Sequence, residues 1–189
     1  MMVFGAGTAP RGTLLGSGLL RMTTVAGQFA SLAADPSLAS AAVDESLRYD
    51  PSLTMVRRRA LERETVRRCH QSPRRTIIAL IIAADRNPAV SNDPDAFNIT
   101  RADTRPLSFE GGIHNCLGGA LARMEAEIVF GAGAQRLPFM TLANDHTPSG
   151  MPQCFGARRP PGPPTSPTPE LHRGPAPFRA RADVNFDIG

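Results

Sequence analysis

The sequence contains no lysine and no tryptophan, and it has a single tyrosine. All 21 basic residues are therefore arginines, which is typical of a GC-rich coding background, so arginine clusters carry little functional information. The net charge of +4 would suit an acidic protein or a nucleic acid. Because the arginines are dispersed and no aromatic residues interleave with them, we expect no nucleic-acid partner.

Cysteine is also scarce. Cys69, Cys116 and Cys154 lie far apart, and no two of them form a CxxC pair. This pattern argues against a disulfide framework and a zinc ribbon, and it fits a reducing cytoplasm. The longest apolar run, residues 76–84, is far shorter than the ~20 residues that span a bilayer. We therefore expect a cytoplasmic protein with no membrane partner.

The apolar residues recur mainly at helical spacing, which predicts a mainly α fold with a small β-sheet. The predicted helices are 11–24, 25–34, 37–49 and 117–136; the predicted extended pieces are 53–56 and 75–82; a polar meander is predicted at 85–106. The last helix has one apolar face, formed by Leu117, Leu121, Met124 and Ile128.

A proline-rich segment follows the last helix. Its composition cannot bury enough apolar surface to offset the entropy of ordering, which predicts a disordered tail. The sequence thus divides into an ordered domain at 1–144 and a tail at 145–189.

The densest motif surrounds Cys116, in the stretch F-E-G-G-I-H-N-C-L-G. The cysteine directly precedes a predicted helix, where free N–H groups and the positive end of the helix dipole favour a thiolate. Gly111, Gly112 and Gly118 remove side chains around the sulfur, so that a large flat ligand and backbone N–H groups can approach it. The motif therefore predicts a ligand-binding thiolate.

Other interpretations of Cys116 explain less. A buried structural cysteine would leave the three glycines without a use. A zinc site needs more ligands than His114 and Cys116 provide. A cysteine hydrolase with His114 as its base would need an unusual geometry, two residues apart along a glycine turn.

Residues 109–125 resemble the haem-binding loop and following helix of bacterial cytochrome P450 monooxygenases. The family's Glu-x-x-Arg pair is matched by Glu45 and Arg48, followed by Tyr49-Asp50-Pro51. The resemblance implies that these two side chains form a buried pair bracing the meander.

For the cofactor, the resemblance implies haem b, with Cys116 as the axial thiolate ligand of its iron. It implies that Arg58 and His114 bind the haem propionates and that Phe109, Gly112 and Gly118 belong to the cofactor-binding loop. The implied activity inserts one oxygen atom of O2 into a small organic substrate. The implied electron donor is a ferredoxin-like or flavin-containing partner.

The sequence departs from the family at several positions. Ala9 and Pro10 stand where an acid and an alcohol usually relay protons. Ala96 replaces an arginine that often completes the network with the Glu-x-x-Arg pair, and Pro106 replaces a frequent histidine. The segment Gly5-Ala6-Gly7 does not match a dinucleotide-binding loop, because no strand precedes it.

The resemblance covers residues 3–142 and matches only the C-terminal half of the family fold. In the family, further helices cover the haem face opposite the cysteine ligand. The resemblance includes no counterpart of these helices. A truncated, non-catalytic remnant with weak or no haem binding is therefore the alternative to an active monooxygenase.

Overall fold

The computed structural model describes residues 2–66, 69–102 and 104–142. This part of the chain contains five α-helices and four short β-strands. The helices are α1 (Met2–Thr24), α2 (Gln28–Ala34), α3 (Ala39–Tyr49), α4 (Ile81–Ala84) and α5 (Gly119–Arg136). The strands are β1 (Val56–Arg59), β2 (Glu64–Val66), β3 (Cys69–Gln71) and β4 (Thr76–Ala79). Short 3₁₀ turns occupy Pro36–Leu38, Leu107–Phe109 and Gly112–His114.

Helix α1 begins earlier than the sequence predicts and carries Pro10 in its interior. The Ser52 hydroxyl donates a hydrogen bond of 2.7 Å to the Pro10 carbonyl, which ties α1 to the segment after α3. The next helix begins later than predicted, at Gln28, because Gly27 adopts a left-handed φ of 80° and separates the two helices.

The entry to α3 is set by Asp35 and Pro36. The Asp35 carboxylate accepts hydrogen bonds from the Ser37 hydroxyl at 2.6 Å and from the Ser37 N–H at 3.0 Å. The hydroxyl bond, followed by the backbone bond, holds the pKa of Asp35 below its usual value. This local capping explains why the predicted helix at 37–49 opens with a 3₁₀ turn.

The core forms where α1, α2, α3 and α5 pack together. Gly18 of α1 permits the close approach of α5, because a Cβ there would lie 2.5 Å from the Phe130 ring. The buried apolar side chains are Leu14, Met22, Phe29, Leu32, Ala42, Val43, Leu47, Phe97, Ile99, Ala126, Phe130 and Ala134.

The apolar face predicted for the last helix is not its buried face. Helix α5 instead buries Gly119, Ala126, Phe130 and Ala134. The predicted set, Leu117, Leu121, Met124 and Ile128, is exposed. Sequence periodicity finds an apolar face but does not show which neighbour covers it.

Two separate two-stranded antiparallel sheets replace the single predicted sheet. Strand β1 pairs with β4, with Val56 opposite Ala79, and β2 pairs with β3, with Glu64 opposite Gln71. The extended piece predicted at 53–56 is shifted towards the C-terminus. The piece predicted at 75–82 ends early because α4 begins at Ile81. The mainly α class with little β-structure is confirmed.

The proline-rich segment predicted at 145–189 lies outside the described residues. Within the described ranges, no helix has the length and apolar character needed to cross a membrane.

Candidate active site around Cys116

The loop before α5 presents Cys116 to solvent. The Cys116 N–H donates a hydrogen bond of 2.9 Å to the Phe109 carbonyl, and the Cys116 carbonyl accepts one of 3.1 Å from the Gly119 N–H. The thiol is free and exposed, three residues before α5 begins. The helix predicted at 117–136 therefore begins two residues later than predicted, and Cys116 lies in the loop before it instead of directly at its start.

The three glycines that the motif places around Cys116 leave open space beside this loop. A Cβ on Gly111, Gly112 or Gly118 would have no atom within 4 Å, and Gly112 has a φ of +59°. Gly118 caps the N-terminus of α5. A ligand wider than a side chain can therefore approach the loop.

Gly119 plays a different part, which the sequence motif did not indicate. A Cβ on Gly119 would lie 3.3 Å from the Phe109 ring, so this glycine lets the ring pack against the start of α5. The Arg123 guanidinium lies 5.0 Å from the centre of the same ring. Arg123 also forms an ion pair with Asp44 of α3, and burial lowers the pKa of Arg123. The Phe109 side chain is thus held by α5.

The predicted buried pair of Glu45 and Arg48 is confirmed. Two hydrogen bonds join them side by side, from Arg48 Nε to Glu45 Oε2 at 2.7 Å and from an Arg48 Nη to Glu45 Oε1 at 2.8 Å. The Arg48 guanidinium then donates to the carbonyls of Pro94 at 2.8 Å and Ala96 at 2.9 Å. Glu45 accepts a further hydrogen bond of 2.8 Å from the Asn98 N–H. The pair therefore braces the polar meander, as the resemblance implies.

A third charge joins this pair, and the sequence did not reveal it. Arg101 Nε lies 3.3 Å from Glu45 Oε2, and its guanidinium also donates to the Ala96 carbonyl at 3.0 Å. Arg101 therefore adds a second guanidinium group at the Glu45 carboxylate, beside the Ala96 carbonyl. No spacing rule signals a contact that depends on how the meander turns.

Two side-chain contacts fix Leu107 and Ser108, the residues that lead into the Cys116 loop. Asp85, next to α4, accepts a hydrogen bond of 2.9 Å from the Leu107 N–H, and the Ser108 hydroxyl donates to the Leu47 carbonyl of α3 at 2.8 Å. The other Asp85 oxygen, Oδ2, is buried without a hydrogen-bond partner. Burial raises the pKa of Asp85 to about 7. No sequence motif points to Asp85.

Arg58 and His114 occupy different surroundings. Strand β1 brings Arg58 to the loop, where its guanidinium forms an ion pair with the Glu110 carboxylate. His114 lies in the second 3₁₀ turn of the loop and is exposed. The structure thus places Arg58 and His114 on or beside the same loop as Cys116. Their contacts with haem propionates stay a prediction.

A family model described as Cytochrome P450 matches residues 33–163, more than half of the chain. A putative cytochrome P450 133B2 of Xylella fastidiosa is 39% identical over 132 residues, which is 69% of this chain and 33% of that protein. The biotin biosynthesis cytochrome P450 of Bacillus subtilis is 38% identical over 122 residues, which is 62% of this chain and 30% of that protein. The chain spans about a third of the length of these relatives.

Solved structures agree with this grouping. Ligand-free CYP164A2 of Mycobacterium smegmatis matches with a TM-score of 0.72 and 38% identity, over 74% of this chain and 36% of that chain. P450BioI, in complex with an acyl carrier protein ligated to hexadec-9Z-enoic acid, matches with a TM-score of 0.75 and 32% identity, over 80% of this chain and 39% of that chain.

The fold is therefore an incomplete cytochrome P450 fold, and the chain belongs to the cytochrome P450 family. Members of this family hold haem iron by a cysteine thiolate. The family match begins at residue 33, whereas the sequence resemblance is predicted from residue 3. The assignment of Ala9 and Pro10 to the proton-relay groove stays a prediction.

Proposed function

We propose that this chain supplies the haem-thiolate part of a monooxygenase, with Cys116 as the axial ligand of haem iron. The observation that supports it best is the exposed Cys116 thiol on a glycine-rich loop whose main chain is anchored at Phe109 and Gly119. The chain's membership of the cytochrome P450 family supports the same reaction class.

The residues around Cys116 fit haem. The space beside Gly111, Gly112 and Gly118 suits a flat macrocycle, because no atom lies within 4 Å of where a Cβ would stand. Arg58 provides a cationic group beside the loop for an anionic ligand edge. His114 and Phe109 complete the proposed cofactor-binding set.

Thiolate-bound haem activates O2, so that one oxygen atom can be inserted into a small organic substrate. The chain's part is to hold the sulfur in a fixed position. Cys116 is fixed through its main chain, and the loop start is fixed by Asp85 and Ser108. Electrons would come from a ferredoxin-like or flavin-containing donor.

We expect proton delivery to be inefficient in the proposed reaction. Neither Ala9 nor Pro10 can donate a proton where the family usually places an acid and an alcohol. We expect oxygen consumption to exceed product formation in the haem-bound protein. Equal amounts of oxygen consumed and hydroxylated product formed would contradict this expectation.

The absorbance of the reduced, CO-bound protein tests the ligand assignment. Wild-type protein should show the red-shifted Soret band of thiolate ligation, and Cys116→Ala should lose that band while keeping its helix content. Cys69→Ser and Cys154→Ser are the controls and should leave the band unchanged. A band retained in the Cys116→Ala variant would refute the assignment.

A second candidate is a non-catalytic remnant with weak or no haem binding. It is favoured by Ala9 and Pro10, which cannot relay a proton where the family usually places an acid and an alcohol. The absence of haem uptake by the purified chain would support this candidate.

A further inference from the structure

Arg58 and Glu110 form an ion pair beside the Cys116 loop. Strand β1 carries three consecutive arginines, and its alternating exposure turns Arg57 and Arg59 to solvent while Arg58 is partly buried. The Arg58 guanidinium donates a hydrogen bond of 3.0 Å to the Arg57 carbonyl and another to the Glu110 carboxylate. Of these three arginines, Arg58 is therefore the one that reaches the loop.

The backbone of Glu110 has an unfavourable conformation. Its φ of 58° and ψ of −157° lie in a region that glycine populates and other residues adopt only where the surrounding structure enforces it. The Glu110 N–H donates a hydrogen bond of 2.8 Å to the Leu107 carbonyl, and the neighbouring Phe109 carbonyl accepts the Cys116 N–H. Backbone outliers of this kind cluster at ligand-binding and switch positions. Glu110 thus combines a strained backbone with a carboxylate that pairs with Arg58.

The ion pair uses the positive charge that would attract an anionic ligand. A guanidinium carries one charge, however many of its N–H groups donate hydrogen bonds. The Arg58 and Glu110 side chains are 38% and 21% exposed, so solvent screens the pair less than it screens two fully exposed groups. A second carboxylate that approaches Arg58 therefore meets a neutralised cation and must displace Glu110 to pair with it.

We propose that Glu110 competes with the propionates of haem for Arg58 and thereby lowers the affinity of this chain for its cofactor. The proposal rests on the proposed function for the identity of the ligand, but it does not require iron ligation by Cys116. A propionate that pairs with Arg58 releases the Glu110 side chain, and the relaxation of the Glu110 backbone offsets part of the cost of that exchange. Glu110 is thus a residue that sets cofactor affinity and does not itself bind the cofactor.

Iron-free protoporphyrin IX is the probe, because it carries the propionates of haem but has no iron for Cys116 to bind. Its affinity for the full 189-residue chain is measured by fluorescence titration. Glu110→Gln removes the charge and keeps the side-chain length, so it should bind the probe roughly threefold to tenfold more tightly than the wild type. Glu62→Gln, which removes an exposed carboxylate between β1 and β2, is the matched control and should bind as the wild type does.

Two further measurements show whether the gain arises from competition for Arg58. Protoporphyrin IX dimethyl ester, whose carboxylates are blocked, should bind the wild type and Glu110→Gln equally. Arg58→Gln should weaken binding of protoporphyrin IX, and adding Glu110→Gln to it should change the affinity less than about twofold. A gain that persists without Arg58, or that also appears with the dimethyl ester, would overturn the proposal, because Glu110 would then act on the porphyrin directly.

The proposal would also be overturned if Glu110→Gln bound protoporphyrin IX no more tightly than the wild type. The absence of porphyrin binding by both proteins, with native helix content by circular dichroism, would overturn it as well. The thiolate band of the haem-bound protein tests the proposed function separately. A wild-type band without any effect of Glu110→Gln refutes only the competition, whereas a gain for Glu110→Gln without the band refutes only the ligation by Cys116.

Discussion

Arg101 Nε lies 3.3 Å from the same Glu45 oxygen that accepts a hydrogen bond of 2.7 Å from Arg48 Nε. Glu45 is completely buried, so one carboxylate balances two guanidinium groups away from water. The arrangement fixes the meander to α3, because both arginines also donate to the Ala96 carbonyl.

Removing the Glu45 charge should destabilise the protein strongly. Glu45→Gln leaves Arg48 and Arg101 without their counter-charge in a buried site, and such a loss costs about 3–5 kcal/mol. The measurement is the free energy of unfolding from urea denaturation. Glu62→Gln, at an exposed position, is the control and should leave the unfolding curve in place. Similar curves for both variants would mean that Glu45 is not a buried counter-charge.

The sequence predicted the Glu45–Arg48 pair and the Cys116 loop because each is a local motif with fixed spacing. It missed Arg101 because that contact depends on the path of the meander. It also missed the exposure of the α5 face that carries Leu121, because periodicity indicates an apolar face but not which element of the fold covers it. The contact between Asp85 and Leu107 was missed as well, because only the tertiary fold brings these two residues together.

Gly18 should resist any larger side chain. In Gly18→Ala the new Cβ would lie 2.5 Å from Phe130 Cζ and 2.9 Å from Ser46 Oγ, so α1 must move away from α5. Overpacking of this kind costs about 1–3 kcal/mol of unfolding free energy. Gly16→Ala is the matched control, because a Cβ there meets no atom within 4 Å. That control should stabilise α1 by up to about 1 kcal/mol, and equal effects of the two changes would contradict the packing described.

Glu110 occupies backbone space that favours glycine, with φ at 58° and ψ at −157°. Both Glu110→Ala and Glu110→Gly remove the carboxylate that pairs with Arg58, but only the glycine variant relieves the backbone strain at this position. We expect the glycine variant to be more stable than the alanine variant by about 1–3 kcal/mol in urea denaturation. At Glu127, inside α5, the same two changes should rank in the opposite order, because alanine favours a helix. An alanine variant as stable as the glycine variant at Glu110 would show that the position is unstrained.

Asp85 should make stability fall as pH rises. Burial raises the pKa of this carboxyl from 3.8 to about 7, so between these values the native state holds a proton that the unfolded chain has lost. The free energy of unfolding should therefore decline from about pH 4 to pH 7 and level off above it, by at most about 4 kcal/mol for this group. The Arg48 guanidinium faces Asp85 and limits the decline by favouring the charged form.

Asp85→Asn tests this pH dependence directly. The amide oxygen can still accept the hydrogen bond from the Leu107 N–H, and its NH2 group takes the place of the protonated Oδ2. The variant should match the wild type near pH 4 and exceed its free energy of unfolding at pH 8, as measured by urea denaturation across that range. Asp95→Asn, which changes an exposed carboxylate paired with Arg86, should follow the wild-type curve. If Asp85→Asn gives a pH profile parallel to that of the wild type, Asp85 titrates with an ordinary pKa and its carboxylate is solvated in the native state.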